Sequence, residues 1–351
     1  MPLHGAFSYH RGSIINRFDC ELRVARSNCQ STMIKVAKPS RAILDRAQGC
    51  LLGQFAGDAL GSLVEFQAPE QIRRAYPAGL REIADGGTWD TIAGQPTDDS
   101  EMALMLARAL VDQGGYDREA ARQAYIDWLE SGPFDCGYTV ASGLHGNHNP
   151  DSQANGALMR VSPLGIFGAK YGLNPVADWA CQDAAITHIH PVCQDANALF
   201  AMAIAHAVRS GCSARAVYER ILTWAGEMQV DASLYAAVVG AEEAPPANYI
   251  SQAGWALIAL QNALWQLVNA KNLEEAVIDT VMRGGDTDTN AAITGALLGA
   301  VQGRRAIPDQ WEKAVLNCRP EAGRPGVRRP RPKRFWPVDA LELADRLVSS
   351  A

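Results

Sequence analysis

Two separated stretches of the sequence, residues 96–101 and 284–290, are dense in carboxylate and hydroxyl groups. Each leads into a run with helical periodicity, and in the second stretch two carboxylates stand two residues apart behind a pair of glycines. Oxygen ligands at this density suit a hard divalent cation such as Mg²⁺, Mn²⁺ or Ca²⁺. The two stretches therefore predict a metal site, provided that the fold brings them together.

The alternative interpretation is that both stretches only cap helices. Aspartate and threonine accept hydrogen bonds from the free N–H groups of a helix N-terminus, and Asp98 followed by Glu101 has the form of a capping box. A cap needs one side chain, however, and the adjacent carboxylates of Asp98 and Asp99 repel each other unless a cation or a proton intervenes. We therefore expect the two stretches to converge on a shared pair of metal ions, with helix ends as rigid supports.

Two glycine-rich helices are expected to position these clusters. The first is predicted to begin after Ser40, as its N-cap, and to run to about residue 64. Glycine recurs at every fourth position in both: Gly49, Gly53, Gly57 and Gly61 in one, and Gly295, Gly299 and Gly303 in the other. Glycine costs ~1 kcal/mol in a helix interior, but a spacing of four places the glycines on one face, where a second backbone can approach. The repeats therefore predict two close-packed central helices.

Two further carboxylates belong to the first of these helices. Asp58 lies inside an apolar run, so it needs a buried partner, and we expect a structural hydrogen-bonding role rather than direct metal ligation. Glu65 stands at the helix C-terminus, where the helix dipole disfavours an anion. That position makes Glu65 a candidate functional carboxylate.

The rest of the chain is predicted to be mostly helical. Helical patterns cover residues 117–130, 137–145, 175–186, 194–210, 213–228, 252–268, 272–283 and 337–348, and no repeated alternating strands occur. Residues 66–96 are rich in proline and glycine and are predicted to form loops. The basic, proline-rich residues 319–334 are interpreted as a solvated extended loop, with an RNA-binding arm as the alternative.

Composition narrows the class of protein. The 351 residues carry a formal net charge of -6, which argues against a general nucleic-acid binder. The eight cysteines include no C-x-x-C pair, as expected for free thiols in a reducing cytoplasm. No membrane span or signal peptide is predicted. Residues 1–40 are basic and are interpreted as a flexible extension or as an arm that docks on an acidic partner, followed by one domain over residues 41–351.

Two loops rich in small and amide residues, 131–139 and 146–160, are candidates for substrate binding. Such residues let a ligand lie against backbone N–H groups, which suits a diphosphate and ribose hydroxyls. The signal is weak, because glycine-rich turns are common. The motif around His188 and His190 could suggest a metal, but a structural role is the better interpretation of two histidines on no recognisable scaffold.

Taken together, these motifs resemble the ADP-ribosylglycohydrolase family, which includes dinitrogenase-reductase-activating glycohydrolase and the ADP-ribosyl-acceptor hydrolases. The matching motifs follow the family order from about residue 42 to 348: Gly57-Asp58-Ala59-Leu60-Gly61 with Glu65, Thr97-Asp98-Asp99-Ser100, Asp135-x-Gly137, Asn155-Gly156-Ala157-Leu158-Met159-Arg160, Thr187-His188-x-His190-Pro191 and Gly285-Asp286-Thr287-Asp288-Thr289. The resemblance implies a compact all-α, orthogonal multi-helix fold around two metal ions, Mg²⁺ or Mn²⁺.

The resemblance also assigns roles to residues. As metal ligands it implies Thr97, Asp98, Asp99, Asp286, Asp288 and Thr289. As the lining of an ADP-ribose cleft it implies Asp135, Gly137, Asn155, Gly156, Met159 and His188. Glu65 matches a mobile carboxylate near the metals. The chain departs from the family at Tyr138, where a small polar residue is common, and in its basic N-terminal arm.

The expected activity is hydrolysis of the C1″ glycosidic bond of an ADP-ribosylated protein or small compound, with arginine as the expected acceptor. Two cations can orient ribose hydroxyls and a water and lower the pKa of that water, while Glu65, Asp98 or Asp135 relays the proton. Serine and small ADP-ribosyl metabolites stay open as acceptors. The alternatives are a two-metal phosphoesterase, an immunity protein whose arm blocks a partner toxin, and an inactive member of the fold.

Overall fold

A computed structural model of the chain describes residues 39–349, which form fifteen α-helices and no β-strand. The all-α expectation is therefore confirmed for these residues, and none of their helices is long and apolar enough to cross a membrane. The helices are α1 Arg41–Gly61, α2 Pro69–Ala75, α3 Asp98–Gln113, α4 Arg118–Glu130, α5 Tyr138–Leu144, α6 Ser162–Gly168, α7 Leu173–Ala184, α8 Pro191–Ser210, α9 Ala214–Met228, α10 Ala232–Gly240, α11 Ala256–Asn269, α12 Leu273–Val281, α13 Thr287–Gln302, α14 Asp309–Asn317 and α15 Ala340–Ser349.

Helices α1 and α13 form the centre of the molecule and pack backbone against backbone. A Cβ atom placed on Gly53 would lie 2.2 Å from the carbonyl oxygen of Gly295, and one placed on Gly299 would lie 2.0 Å from the carbonyl oxygen of Gly49. No side chain fits in that space, so the predicted reason for the glycine repeat is confirmed. Ser40 caps α1 as predicted, since its side chain accepts a hydrogen bond from the N–H of Ile43.

The same contact brings the C-terminal end of α1 to the N-terminus of α13. A Cβ atom on Gly61 would lie 2.4 Å from the Cα atom of Asp288. Helices α11 and α12 also pack on α13, while α3, α6, α8, α14 and α15 pack on α1. These neighbours bury α1 from Gly49 to its end and α13 from Thr287 to Ala300, and the joined ends lie beside the first turn of α3.

Four short helices, α2, α6, α10 and α14, have no counterpart in the pattern-based prediction. Helices α2 and α6 are seven residues long and contain proline in the first turn, and helices this short depend on tertiary packing rather than on propensity. Helix α14 buries only Trp311 and Val315, which is too few apolar positions for periodicity to be recognised. The prediction of loops over residues 66–96 is therefore wrong for α2.

The expectation of a solvated loop over residues 319–334 is right for most of its cations and wrong for Arg331. The Arg331 side chain is 3% exposed and forms an ion pair with the buried Glu101, with 2.7 Å between Nη2 and Oε2. Sequence composition did not reveal this burial, because the partner carboxylate lies 230 residues away. The predicted N-terminal arm falls almost wholly on residues 1–38, outside the described part of the chain.

Candidate metal centre and substrate cleft

The two acidic stretches meet at the joined ends of the central helices. Thr97 is the N-cap residue of α3, and Asp286 is that of α13. The hydroxyls of Thr97 and Thr289 both donate to Asp99 Oδ2, over 3.1 and 3.3 Å, although Asp99 and Thr289 are 190 positions apart in the sequence. All six predicted ligand residues are buried: Thr97, Asp98, Asp99, Asp286, Asp288 and Thr289. The expected convergence of the two stretches is thus observed.

Two groups of three carboxylates are arranged so that each could hold a metal ion. One comprises Asp58, Asp99 and Asp288, and the other comprises Glu65, Asp286 and Asp288. Within each group one oxygen of every residue lies within 4.8 Å of the others. Because Asp288 belongs to both groups, the geometry suits two neighbouring cation positions rather than one.

Asp58 has more contacts than the single structural role expected for it. Its carboxylate accepts hydrogen bonds from the backbone N–H of Thr97, from the Thr97 hydroxyl over 2.9 Å and from the N–H of Ser100 over 3.2 Å. It therefore holds the first turn of α3 against α1. Its place in one of the two carboxylate groups adds it to the candidate ligands, whereas Asp98 belongs to neither group.

Burial and mutual repulsion make these carboxylates hard to ionise together. Burial raises the pKa of Asp58 to about 6, against the hydrogen bonds from Ser100 and Thr97. Burial, followed by repulsion from Asp58, raises the pKa of Asp98 to about 7. Burial likewise raises the pKa of Asp99 and of Asp288 well above the usual range, with neighbouring carboxylates adding to the shift. Bound cations would remove this repulsion.

The donor set fits a hard divalent cation. Every group in the cluster offers oxygen, and Asp99 Oδ1 is buried without a hydrogen-bond partner. A buried carboxylate oxygen left unpaired is costly, and a metal ion would satisfy it. The carboxylates and threonine hydroxyls around Asp99 are therefore a site that Mg²⁺ or Mn²⁺ could occupy.

Glu65 reaches the cluster from a turn that follows α1. Its carboxylate is 5% exposed and accepts a hydrogen bond from the indole of Trp89, with 2.6 Å between Nε1 and Oε2. Burial, followed by repulsion from Asp286, raises the pKa of Glu65 to about 8. The next residue, Phe66, has a φ of 63°, and its N–H donates to the carbonyl of Gly285. The turn is thus held on one side by Trp89 and on the other by the start of α13.

The loop of residues 131–137 lies against the same cluster. The N–H of Gly137 donates to Asp98 Oδ2 over 3.4 Å, which ties the loop to the first turn of α3. Burial, then repulsion from Asp98, raises the pKa of Asp135 to about 10. The ring of Phe134 lies 5.9 Å from that of Trp89, so the loop that carries Asp135 meets the side chain that holds Glu65. We call the pair Trp89 and Phe134 the aromatic lip.

The second predicted loop approaches from the α13 side. Asn155 donates from Nδ2 to Asp286 Oδ2 over 2.7 Å. A Cβ atom on Gly156 would lie 3.2 Å from His188 Cε1, so glycine lets the histidine ring come close. Burial lowers the pKa of His188 to about 3; its Nδ1 pairs with Thr187, and its buried Nε2 has no partner. Asn155, Gly156 and His188 therefore lie together as expected.

Met159 and His190 have structural contacts instead. Met159 is buried, and its carbonyl accepts from the side chain of Gln54. His190 is the N-cap residue of α8, where its Nδ1 accepts from the N–H of Val192, in agreement with the structural interpretation of this motif. Next to Asn155, residues 151–154 and 252–255 line an open cavity of about 490 Å³.

Comparison with known proteins agrees with the motifs. A family model described as ADP-ribosylglycohydrolase matches residues 39–350. The chain belongs to the ADP-ribosylglycohydrolase family. It is 30% identical over 286 residues to the ADP-ribosyl-(dinitrogen reductase) glycohydrolase of Rhodospirillum rubrum, covering 77% of this chain and 90% of the relative. It is 26% identical over 290 residues to the ADP-ribosylarginine hydrolase Tri1 of Serratia proteamaculans, covering 78% and 76%.

A solved structure leads to the same conclusion about the fold. A chain of an ADP-ribosylglycohydrolase-related protein complex superposes with a TM-score of 0.71 at 26% identity, covering 88% of this chain and 98% of that one. The family resemblance expected from the motifs is therefore confirmed, together with the ADP-ribosylglycohydrolase-like fold. As a member of this family the protein is an ADP-ribosyl glycohydrolase, an enzyme that hydrolyses glycosidic bonds.

Two residues at the centre of this ADP-ribosylglycohydrolase were missed by sequence reasoning. Trp89 lies in a stretch with no helical or acidic pattern, and nothing in its neighbourhood indicates that its indole reaches Glu65. Asp58 was recognised, but only as a structural partner, because a carboxylate inside an apolar helix gives no sign of which cluster it faces. The contact between Gly61 and Asp288 shows that this end of α1, with Asp58, faces the start of α13.

Proposed function

We propose that the protein releases ADP-ribose from modified arginine side chains of proteins, by hydrolysing the C1″–N bond with the help of two divalent cations, Mg²⁺ or Mn²⁺. One observation carries the proposal: two buried carboxylate groups share Asp288 at the meeting point of α1, α3 and α13. Support for arginine comes from the Serratia relative, which is named an ADP-ribosylarginine hydrolase.

In this proposal the ligands come from both acidic stretches. Thr97, Asp98 and Asp99 on α3, and Asp286, Asp288 and Thr289 on α13, would hold the cations, with Asp58 as a further candidate. When bound, the cations would supply charge stabilisation at the ribose and a water of lowered pKa. The helix ends would hold these oxygens at fixed distances from one another, as a metal site requires.

Carboxylates of the same site would also move the proton. The water oxygen forms a bond to C1″ as the bond to the guanidine nitrogen breaks, and the water proton must end on the departing nitrogen. Glu65, Asp98 and Asp135 are the candidates for this relay. Glu65 is placed best by its contacts, because it lies with Asp286 and Asp288 and its orientation is held by Trp89. A carboxylate within reach of both water and leaving group can accept and then return a proton.

The substrate would lie in the cleft between the two loops. Gly137 and Asn155 bond to Asp98 and Asp286 of the carboxylate cluster, and Gly156 and His188 lie against each other next to Asn155. Met159, predicted to line the same cleft, is buried. The buried His188 Nε2, which has no partner in the protein, could bind a hydroxyl or phosphate oxygen of ADP-ribose. Small residues at 137 and 156 leave room for the ligand against the backbone.

The direct test compares Asp99→Asn and Asp286→Asn with a matched control, Asp309→Asn, on the exposed first turn of α14. The substrate is a protein ADP-ribosylated at arginine, assayed for free ADP-ribose with and without Mn²⁺ or Mg²⁺. We expect loss of hydrolysis in the first two variants and full activity in the third. Full activity in either site variant contradicts the proposal, and release of AMP would indicate a phosphoesterase instead.

The acceptor is tested in the same assay. A serine-linked substrate and a small ADP-ribosyl compound are offered beside the arginine-linked protein, and faster release from either of them would replace arginine as the acceptor. The alternative of an immunity protein whose arm blocks a toxin depends on residues 1–38, which lie outside the described part of the chain, and no structural observation favours it.

A further inference from the structure

Residues 319–334 present a dense group of positive charge on the surface. We call its exposed cations the basic band: Arg319, Arg324, Arg328, Arg329, Lys333 and Arg334. The same segment has one exposed carboxylate, Glu321. The chain as a whole has a formal net charge of -6, so the basic band is a positively charged patch on a negatively charged protein.

The segment that carries the basic band lies next to the candidate site. Arg329 donates from Nε to the carbonyl of Trp89 over 3.0 Å, and the Trp89 indole in turn donates to Glu65. On the other side, the buried Arg331 donates from Nη1 to the carbonyls of Ser131 and Gly132, at the start of the loop that carries Phe134 and Asp135. The segment therefore contacts Trp89 of the aromatic lip and the start of the loop that carries Phe134.

The segment is anchored at Arg331, so the outward side chains on either side of it, Arg329 and Lys333, start from a fixed backbone. Arg331 forms two hydrogen bonds with Glu101, over 2.8 and 2.7 Å, and both side chains are at most 3% exposed. Pro330 and Pro332 flank Arg331 and fix the backbone φ at both positions. A preordered surface loses little conformational entropy when a partner binds.

Aromatic residues add apolar area to the same rim. Phe66 and Tyr138 are 65% and 81% exposed, which is unusual for large rings. They directly follow Glu65 and Gly137, the two residues that contact the cluster from opposite loops. Exposed aromatic side chains together with arginine are typical of surfaces that bind other proteins.

We propose that the basic band is a docking surface for an acidic polypeptide segment next to the ADP-ribosylated side chain. The inference rests on the proposed function and narrows its substrate to proteins with acidic residues around the acceptor. A small ADP-ribosyl compound would occupy the cleft but not reach the band. Protein is favoured over nucleic acid because the chain is acidic overall, with a pI near 5.7, whereas nucleic-acid binding domains are basic.

The test uses the full-length enzyme and three substrates with one ADP-ribosylated arginine: a peptide with flanking aspartates, the same peptide with flanking serines, and free ADP-ribosyl-arginine. The variant is Arg324→Glu with Lys333→Glu, because neither exposed side chain forms a hydrogen bond or ion pair with the aromatic lip or the carboxylate cluster. The control is Arg215→Glu with Arg220→Glu, which changes the net charge by the same amount. Both residues lie on α9, a helix that packs against α8, α10 and α11.

Rim charges act mainly on encounter and binding. We therefore expect the wild type to prefer the acidic peptide over the serine peptide, and the variant to lose on the order of tenfold in kcat/KM on the acidic peptide, through KM. The control variant should behave as wild type, and activity on ADP-ribosyl-arginine should be unchanged throughout. The preference should shrink as salt rises from 0.05 to 0.5 M, values chosen to shorten the Debye length to roughly a third.

Three results overturn the docking proposal. They are equal rates on the acidic and serine peptides, an equal loss on free ADP-ribosyl-arginine, and tighter binding of a single-stranded oligonucleotide than of the acidic peptide. If the wild type hydrolyses none of the substrates, the proposed function fails. Docking is then judged by fluorescence anisotropy of the labelled acidic peptide: weaker binding to the variant than to the control supports it, and equal binding overturns it.

Discussion

The α1–α13 pair and the 319–334 segment both hold the candidate site in place, but they do so by opposite means. Between α1 and α13 side chains are absent, and carbonyl oxygens of one helix occupy the space where the glycines of the other would carry Cβ atoms. At the 319–334 segment, the side chain of Arg331 binds a buried carboxylate and two loop carbonyls, and that of Arg329 binds the carbonyl of Trp89. Close backbone packing thus positions the carboxylate cluster, whereas hydrogen bonds and an ion pair position the loops beside it.

The two regions differ in the substitutions that they can accept. Packing of backbone on backbone tolerates no added atom, so the distance between the acidic stretches should be nearly invariant. The entrance depends on individual side chains, so exchanging them can alter which acceptor is admitted without moving the metal ligands.

Gly53→Ala should be the most damaging single change. The new Cβ atom would lie 2.2 Å from the Gly295 carbonyl oxygen, so one of the two central helices must shift. We expect a loss of roughly 4 kcal/mol in the free energy of unfolding, measured by urea denaturation. Gly115→Ala is the matched control, because no atom lies within 4 Å of the added Cβ. A Gly53→Ala variant as stable as this control would show that the glycine contact is not needed.

Arg331→Met should have the next largest effect, because it leaves the Glu101 carboxylate buried without its partner cation. The expected loss is about 3 kcal/mol, and most of it should return in the double variant Arg331→Met with Glu101→Met, which removes the buried charge altogether. Arg328→Met, at an exposed ion pair with Asp90, should cost under about 0.5 kcal/mol. Equal losses of stability in Arg328→Met and Arg331→Met would show that the buried ion pair contributes no more than the exposed one.

The carboxylate cluster should make the metal-free enzyme less stable as pH rises. The pKa values of Asp58, Asp98 and Glu65 in the folded protein, about 6, 7 and 8, lie above the value of about 4 in an unfolded chain. Their protonated forms therefore contribute stability that is present at pH 4 and is lost as pH rises to about 8. Thermal unfolding in chelator should show a falling Tm over this window, and Mn²⁺ should restore it. A Tm that rises from pH 5 to 8 without metal would contradict the raised pKa values of these carboxylates.

Trp89→Phe should have the smallest effect and the most local one. It removes the indole donor to Glu65 but keeps a ring beside Phe134. Loss of one hydrogen bond is worth about 1 kcal/mol, so kcat should fall on the order of fivefold while the urea midpoint stays near that of the wild type. An unchanged kcat would mean that Trp89 does not position Glu65 for the reaction.

The two regions also differ in how far the sequence revealed them. A repeat of glycine every fourth residue has one simple physical cause, so the close packing of α1 on α13 could be predicted, and with it the meeting of Thr97-Asp98-Asp99 with Asp286-Thr287-Asp288. The contacts of Trp89 with Glu65 and of Arg331 with Glu101 join residues 24 and 230 positions apart. No local pattern encodes such pairs, and their discovery required the folded chain.

Short elements were lost for a related reason. Helix α6 has proline and two glycines among its seven residues, so its helical state depends on packing against α8 and α3 rather than on its own propensity. Asp58 shows the same limit at a single residue. Its burial could be inferred from its apolar neighbours, but its place beside Asp99 and Asp288 could not.

In the proposed site two cations share Asp288, and calorimetric titration of Mn²⁺ into the chelator-treated enzyme counts the ions bound. We expect two Mn²⁺ ions per wild-type chain, two for the Asp309→Asn control, and loss of both from Asp288→Asn, because that residue belongs to both carboxylate groups. Circular dichroism would verify that the Asp288→Asn variant is folded. Binding of two ions by a folded Asp288→Asn variant, or of none by the wild type, would show that the two carboxylate groups do not form a shared metal site.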